Sequence, residues 1–204
     1  MPRRTSVRSV KAFVEENREW IDRARDSFAK QFAPEAFVLP NIIRLPAIGK
    51  TVIVRLQPDD DVNAVRFRYA NGILRLSGDT ASRAQCVDAI RRWLSGVARK
   101  EFEPRLRALA LRTETPYRKM HVRMQRTCWG SHSSSGTISI NLCLLFLEPE
   151  LLRYLMIHEL CHGRYMNHSA RFWKLVSRFE PDYKKLDRRL GESWRDVPAW
   201  LGIY

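Results

Sequence analysis

The chain has 204 residues, of which 45% are hydrophobic and 28% charged, a composition typical of a soluble globular protein with one sizeable core. No apolar run is long enough for a membrane helix, and the four cysteines lack the C-x-x-C spacing of a zinc ribbon or redox motif. We therefore expect a reduced, cytoplasmic protein with no membrane partner. The formal net charge of +14 favours a nucleotide or nucleic acid bound through a basic surface, although a tolerated basic composition explains it equally well.

The first part of the chain, residues 1–112, predicts an N-terminal helix, a small antiparallel sheet and connecting helices. Apolar residues at spacings of three and four predict the helix over 6–32. Short β-type runs then predict strands over 41–45, 51–56, 65–69 and 73–76. Asn71-Gly72 stands between the last two strands, as is typical of a hairpin turn.

A long helical region joins this part to the second one, residues 113–204. The helical pattern covers about 80–113, and Pro104 is expected to kink or divide it. Alternating apolar residues then predict strands over 121–127 and 137–144, with a glycine- and serine-rich loop between them. We expect the second strand to lie as an edge along a cleft, where an extended peptide could add to the sheet.

The rest of the second part is predicted to be helical, with a packed tail. Glu148-Pro149 is typical of a helix start, and apolar residues on nearly every face after it indicate a buried helix. A further helix is predicted over 169–179, which ends before a proline. Trp194 and Trp200 indicate that the tail packs on the surface of the protein.

Three of the five histidines occur within eleven positions, around an H-E-x-x-H motif on the buried helix. His158 and His162 are four residues apart, so a helix places both on one face, where one metal ion fits between them. His168 is placed to supply a third ligand, and three such ligands leave zinc one open position for chemistry. Glu159 would then lie beside the metal as the general base for a zinc-activated water.

The connection between the second and third histidines fits this arrangement. Gly163 and Asn167 both tolerate positive φ, so we expect the helix to end and the chain to reverse there. The alternative is a chance motif on an amphipathic helix, in which the histidines are merely hydrogen-bonded. The buried helix, the third histidine and the turn together favour the metal site.

Several short motifs occur in a recognisable order in this part of the chain. They are Cys128-Trp129-Gly130-Ser131, Gly136-Thr137-Ile138-Ser139-Ile140-Asn141, His158-Glu159-Leu160-Cys161-His162, Asn167-His168-Ser169, Phe172-Trp173 and Pro181-Asp182-Tyr183. Together with residues 13–21 and 45–49, they make most of the chain resemble the YgjP-like metallopeptidase family, which is related to the SprT-like zincins.

The resemblance implies a zincin-like α+β fold in which a small antiparallel sheet packs against the H-E-x-x-H helix and further helices. It implies that His158, His162 and His168 hold zinc, and that Glu159 is the catalytic acid and base. The family usually has strands before the segment that matches the N-terminus here, which implies a smaller sheet or a truncated start.

Two positions depart from the family pattern, and a rival family is set aside. His132 stands where many members have cysteine, and Cys128 where arginine is usual, so the resemblance implies no role for these two positions. The histidine spacing also equals that of the metzincins. A metzincin needs glycine where this chain has Tyr165 and a downstream methionine turn, and this chain has no methionine after Met166.

The leading hypothesis is a zinc-dependent metallohydrolase that cleaves peptide bonds in a peptide or protein substrate. Asn141, Tyr165 and His132 are the candidates for stabilising the oxyanion, and Trp129 is either a cleft residue or a structural one. The sequence does not distinguish among them.

Two alternatives stay open. The first is a metal-dependent pyrophosphatase acting on UTP-type nucleotides, an activity linked to YgjP-like proteins, with arginines of the second part clamping the phosphates. Those arginines are Arg123, Arg126, Arg164 and Arg171. The second alternative is a nucleic-acid-associated protein in which zinc is structural.

Overall fold

The computed structural model describes residues 15–18, 39–59 and 64–202. Contacts within the chain define two compact units, Met1–Val38 and Leu39–Tyr204. Most of the helix predicted over 6–32 lies outside the described residues, apart from a helical stretch at 15–18 in which Arg18 pairs with Glu15. The predicted division after residue 112 stays a prediction. The larger unit is an α+β fold, as expected, with two small sheets.

The first sheet contains four strands in the order β1-β2-β4-β3. They are β1 (Ile42–Leu45), β2 (Lys50–Pro58), β3 (Arg66–Ala70) and β4 (Ile73–Gly78). Asn71 and Gly72 have positive φ between β3 and β4, so the predicted hairpin is confirmed. The prediction of a purely antiparallel sheet is wrong, because β2 pairs with β4 in parallel. The hairpin docks on β2 through its second strand, so β3 lies at the edge of the sheet.

One long helix, α1 (Arg83–Thr113), packs on the inner face of this sheet. Trp93 lies 5.4 Å from the ring of Tyr69 on β3, and Ile90 and Leu94 are fully buried. Pro104 neither ends nor divides the helix, which continues to Thr113. A proline in a helix costs one backbone hydrogen bond, and the buried residues on both sides of it hold the helix together.

The second sheet contains three strands in the order β5-β7-β6. They are β5 (Lys119–Arg123), β6 (Gly130–His132) and β7 (Thr137–Asn141). The prediction that the strand over 137–144 forms an edge is wrong, because β7 pairs with β5 in parallel and with β6 antiparallel. The edge strand is β6, which lies in the segment predicted to be a loop. Ile138 and Ile140 of β7 are fully buried.

Three shorter α-helices follow the second sheet along the chain. They are α2 (Pro149–Cys161), α3 (Ala170–Phe179) and α4 (Tyr183–Glu192). Helix α2 begins at the predicted proline and is buried on nearly every side, α3 matches its prediction, and α4 was not predicted.

The tail packs against the second part of the chain, as expected. Trp194 stacks on Trp129 at 3.9 Å between ring centroids, and Trp200 meets Phe146 edge-on at 5.9 Å. Among the described residues, no helix combines the length and the apolar character that crossing a membrane requires. The cytoplasmic location stays a prediction.

Candidate metal centre

Three histidine side chains meet where helix α2 ends. His158 lies in the last turn of α2, His162 is its C-cap, and His168 stands two residues before α3. Nε2 of His158 lies 3.3 Å from Nε2 of His162 and 3.0 Å from Nε2 of His168. Three nitrogens bound tetrahedrally to zinc at about 2.0–2.1 Å would lie about 3.3 Å apart. The separations between these ligand atoms therefore suit one such ion.

The hydrogen bonds of the opposite ring nitrogens leave two Nε2 atoms unprotonated. Nδ1 of His162 lies 3.0 Å from the carbonyl oxygen of Tyr165, which can only accept, so Nδ1 carries the proton. Nδ1 of His158 lies 3.4 Å from the Tyr154 hydroxyl, which donates its own proton to Asp187 at 2.7 Å. Two nitrogen lone pairs thus face each other at the centre. They repel unless a cation lies between them, so the donor set fits a metal ion such as zinc.

Burial keeps the first two histidines neutral. Burial, together with the smaller effects of the neighbouring His162 and His168, lowers the pKa of His158 to about 3. Burial also lowers the pKa of His162, against the opposing effect of its hydrogen bond to Tyr165. Because metal ions bind unprotonated imidazole, these low pKa values keep two ligands available below neutral pH.

Aromatic side chains from α3 and α4 fix the orientation of the three imidazoles. Phe172 is fully buried and stacks on His162 with 4.5 Å between centroids, while the other two histidines meet its ring edge-on within 5.0 Å. Trp173 stacks on His168 at 5.4 Å, and Tyr183 stacks on Trp173 at 5.2 Å. Phe172 is thus a core residue, and its packing limits the rotation of the histidine rings.

The chain reverses between the second and third histidines without the conformation we predicted. Neither Gly163 nor Asn167 has positive φ. Backbone bonds close the turn instead, from Gly163 N–H to the Leu160 carbonyl at 2.9 Å and from Tyr165 N–H to the Cys161 carbonyl at 3.1 Å. A Cβ at Gly163 would approach that same Leu160 oxygen at 3.1 Å, so glycine serves close packing here.

The side chain of Glu159 lies in a tight space next to Gly130 of strand β6. This side chain is 4% exposed, and burial raises the pKa of the carboxyl group to about 8. Gly130 makes room for it, because a Cβ there would lie 2.7 Å from Oε1 of Glu159. The other carboxylate oxygen, Oε2, has no hydrogen-bond partner among the described residues. A buried carboxyl group with a free oxygen is ready to accept or donate a proton. Gly130 was not predicted as a site residue, since only the fold brings it to Glu159.

The structure separates the three candidates for stabilising the oxyanion. The side chain of Asn141 is fully engaged, because Nδ2 donates to the carbonyls of Gln125 and Cys128 while Oδ1 accepts from the N–H of Cys143. Asn141 is buried and holds the loop before β6, so it is not free to bind substrate. Trp129 stacks on the tail and is likewise structural.

His132 and Tyr165 both lie next to the metal centre. Nδ1 of His132 donates to the backbone carbonyl of Glu159 at 2.5 Å, which ties the edge strand β6 to helix α2. That bond occupies Nδ1 of His132, and Nε2 takes no part in it. Tyr165 accepts the His162 hydrogen bond through its backbone, so its hydroxyl group is not used for that contact. Neither residue is assigned the oxyanion role by these contacts.

No described contact places the arginines proposed to clamp phosphate at the metal centre. Arg164 donates to the backbone carbonyl of Glu114 at 3.0 Å and lies near its carboxylate. Arg123, Arg126 and Arg171 are exposed to solvent.

Two metallopeptidase zymogens of known crystal structure are similar to about half of this chain. The crystal structure of the metallopeptidase zymogen of Pyrococcus abyssi abylysin is 25% identical, with a TM-score of 0.42, and covers 46% of this chain and 95% of its own. That of the Methanocaldococcus jannaschii jannalysin zymogen is 15% identical, with a TM-score of 0.41, and covers 46% of this chain and 96% of its own. No curated protein matches the chain.

The family match covers nearly the whole chain. The model of the YgjP-like metallopeptidase domain matches residues 1–193, which include the histidine cluster, Glu159 and both sheets. A metallopeptidase domain implies a bound metal ion, and a cluster of three histidines is present to hold one. The chain belongs to the YgjP-like family of metallopeptidases.

Proposed function

We propose that this protein hydrolyses peptide bonds with a zinc ion held by His158, His162 and His168 and with Glu159 as the general base. The observation that carries the proposal is the meeting of three histidine Nε2 atoms, two of them 3.0–3.3 Å from the third, next to a buried carboxyl group. The family supports the metallopeptidase class, and the neutral imidazole donors support zinc.

The chain's own residues would bind the ion and move the protons. A zinc ion in this cluster would polarise a substrate carbonyl and lower the pKa of a coordinated water to about 7. Glu159 would accept a proton from the attacking water at its free carboxylate oxygen and pass it to the leaving amine. Gly130 keeps space for that carboxyl group beneath β6, and the aromatic rings of α3 hold the ligands in place.

Strand β6 is the surface we propose for the peptide. In the described sheet it pairs with β7 on one side only, which leaves its other edge for a further strand. Ser131 in the middle of β6 is exposed, and His132 bonds to the carbonyl of Glu159. An extended peptide added to β6 would therefore run past the proposed base.

The two alternatives have weaker support. A nucleotide pyrophosphatase needs cations that bind a polyphosphate near the metal, and Arg164 is held by Glu114 instead. A structural zinc site is normally closed by four protein ligands. Among the residues that the structure describes, this cluster has three, and His168 is exposed.

Zinc content and two hydrolysis assays test the proposal on three proteins. They are the wild type, Glu159→Gln and the control Glu192→Gln, which removes an exposed carboxylate that pairs with Arg195. Casein and UTP serve as the two substrates. We expect one zinc per chain in all three proteins, because Glu159 is not a ligand. We expect casein cleavage to fall by about 10²–10⁴-fold in Glu159→Gln alone.

Two results would reject the proposal. Release of pyrophosphate from UTP without cleavage of casein would assign the site to phosphoanhydrides. Unchanged casein cleavage in Glu159→Gln would remove the general base from the mechanism.

A further inference from the structure

The first sheet has two faces of very different character. Its inner face is apolar and packs on α1, with Val52, Val54, Leu74 and Leu76 almost or fully buried. Its outer face alternates with these positions along each strand and is exposed. Ile53, for example, is 40% exposed between two buried valines. An antiparallel or mixed sheet with one solvated face normally carries mixed polar residues there.

The outer face carries arginine instead. All five arginines of the four strands fall on it, three of them by alternation with buried residues of β1, β2 and β4, and the two on β3 by register pairing with outward-facing residues of β4. They are Arg44, Arg55, Arg66, Arg68 and Arg75. Arg55, Arg75 and Arg68 are direct register partners across β2, β4 and β3. Neighbouring strands are about 4.8 Å apart, so these three cations form a row across the sheet.

Nothing in the described part of the sheet neutralises this arginine face. None of the four strands contains an aspartate or a glutamate. Like charges directly opposite one another in a sheet are destabilising, so the row carries a cost in stability. Its composition therefore calls for a reason other than folding.

Arginines elsewhere in the described chain show the contrast. Arg153 pairs with the buried Glu180 at 2.8 Å, and Arg189 pairs with both Glu148 and Glu150 at the start of α2. Within the described residues, no ion pair involves the five arginines of the first sheet. They stay available to an anion from outside the molecule.

The chemistry of the arginine face selects the kind of anion. Guanidinium groups bind phosphate oxygens through paired N–H donors, and a row of them suits a chain of phosphates better than one isolated phosphate. The exposed Ile42 and Ile53 and the half-buried Ile73 lie beside the row and add apolar surface next to the cations. The net charge of +14 brings polyanions toward the protein from a distance.

We propose that the outer face of the first sheet binds the phosphate backbone of a nucleic acid, with Arg55, Arg68 and Arg75 as its central contacts. The face uses no residue of the metal centre. Nucleic-acid binding and peptide hydrolysis are thus separate properties of the chain, and one can fail without the other.

The test compares two triple variants that remove the same charge. One is Arg55→Gln/Arg68→Gln/Arg75→Gln, and the other, on exposed positions of α1, is Arg99→Gln/Lys100→Gln/Arg112→Gln. Fluorescence anisotropy measures the binding of a labelled single strand and of a duplex of the same mixed sequence over a series of salt concentrations. Vesicles of phosphatidylserine and phosphatidylcholine serve as a second anionic surface.

We expect the wild type to bind nucleic acid with a steep salt dependence. Loss of three phosphate contacts should reduce the slope of log K against log salt by about 2–3 and weaken binding at least about tenfold at 0.1 M salt. The α1 variant should keep the wild-type slope, because it lowers only the long-range attraction. Binding by one form of nucleic acid alone would still support the proposal and would identify the form.

Three outcomes would overturn the proposal. They are no binding by the wild type, an equal loss of slope in both triple variants, and binding to vesicles without binding to nucleic acid. If the sheet variant does not fold, photocrosslinking of the wild type to the labelled strand replaces it. Crosslinks must then fall in peptides of residues 42–77, and crosslinks confined to other peptides would reject the proposal.

Discussion

The metal centre and the outer face of the first sheet treat their polar groups in opposite ways. At the centre, hydrogen bonds brace two of the three histidines, His158 by Tyr154 and His162 by the backbone of Tyr165. On the sheet, the row of Arg55, Arg75 and Arg68 has no carboxylate partner among the described residues. Bracing marks a site built to hold one fixed geometry, whereas uncompensated charge marks a surface that is completed by a partner.

The largest effect we expect comes from crowding the proposed base. In Gly130→Ala the new Cβ would lie 2.7 Å from Oε1 of Glu159, so the carboxyl group must move. Peptide hydrolysis should fall about 10²–10⁴-fold, as for loss of a general base, while zinc content is unchanged. Kinetics with a peptide substrate and metal analysis would check this.

Gly96→Ala is the matched control for that substitution. Gly96 lies within α1, and a Cβ there meets nothing within 4 Å. The control should keep full activity and gain about 0.5–1 kcal/mol in stability, since alanine favours the helix. Equal activity of Gly130→Ala and wild type would show that the space around Glu159 does not matter.

The next effect is a pH-dependent gain in stability when the buried carboxyl group is removed. Burial raises the pKa of Glu159 in the folded protein to about 8, against 4.5 for an ordinary glutamate. The folded state therefore holds a proton that the unfolded state releases between these values, and stability is lost as the pH rises through this window. In metal-free protein, Glu159→Gln should unfold at a similar denaturant concentration near pH 4.5. Near pH 8 it should be more stable than wild type by on the order of 3–5 kcal/mol.

Urea titrations of the two proteins at several pH values in the presence of a chelator measure this difference. His158 and His162 are present in both proteins, so their protonation cancels from the comparison. A constant difference in the free energy of unfolding from pH 4.5 to pH 8 would contradict the raised pKa.

A smaller effect is expected from loss of the hydrogen bond between Tyr154 and His158. Tyr154 accepts a hydrogen bond from Nδ1–H of His158 and donates one from its own hydroxyl group to Asp187 on α4. Tyr154→Phe removes the acceptor but keeps the ring, which should weaken zinc binding about 10–100-fold. Competition with a chromophoric chelator measures the affinity. Trp200→Phe, in the tail, is the control, and equal affinities of all three proteins would show that the brace is dispensable.

The smallest effect is expected in the row of arginines on the first sheet. Arg75 stands between two other arginines in the row, so Arg75→Gln should relieve repulsion and stabilise the protein by about 0.2–1 kcal/mol. The gain should shrink as salt screens the charges. Thermal unfolding at low and high salt measures it, and a loss of stability at low salt would mean that the row is compensated within the protein.

The features that local sequence patterns predict correctly depend on residues that are near one another in the chain. The positions of His158 and His162 on one buried helix follow from a spacing of four residues, and His168 is near in sequence. Local patterns also predicted α1 and the hairpin at Asn71-Gly72. All of these depend on neighbours within a few residues.

Features that depend on distant parts of the chain were not predicted. The parallel pairing of β2 with β4 depends on which strand of the hairpin docks, and no local pattern encodes that choice. Strand β6 has three residues with no apolar alternation, so it was taken for a loop. Asp187 and Gly130 reach the site from 29 residues away on either side of His158 and Glu159, through contacts that only the folded chain makes.

Direct measurement of bound zinc tests whether the three imidazoles hold one metal ion. The wild type and the variants His158→Ala, His162→Ala and His168→Ala are each dialysed against zinc, freed of excess and analysed for metal per chain. We predict one tightly bound zinc in the wild type and a large loss of affinity in each of the three variants. Full zinc content in His168→Ala, with affinity equal to that of the wild type, would contradict the claim.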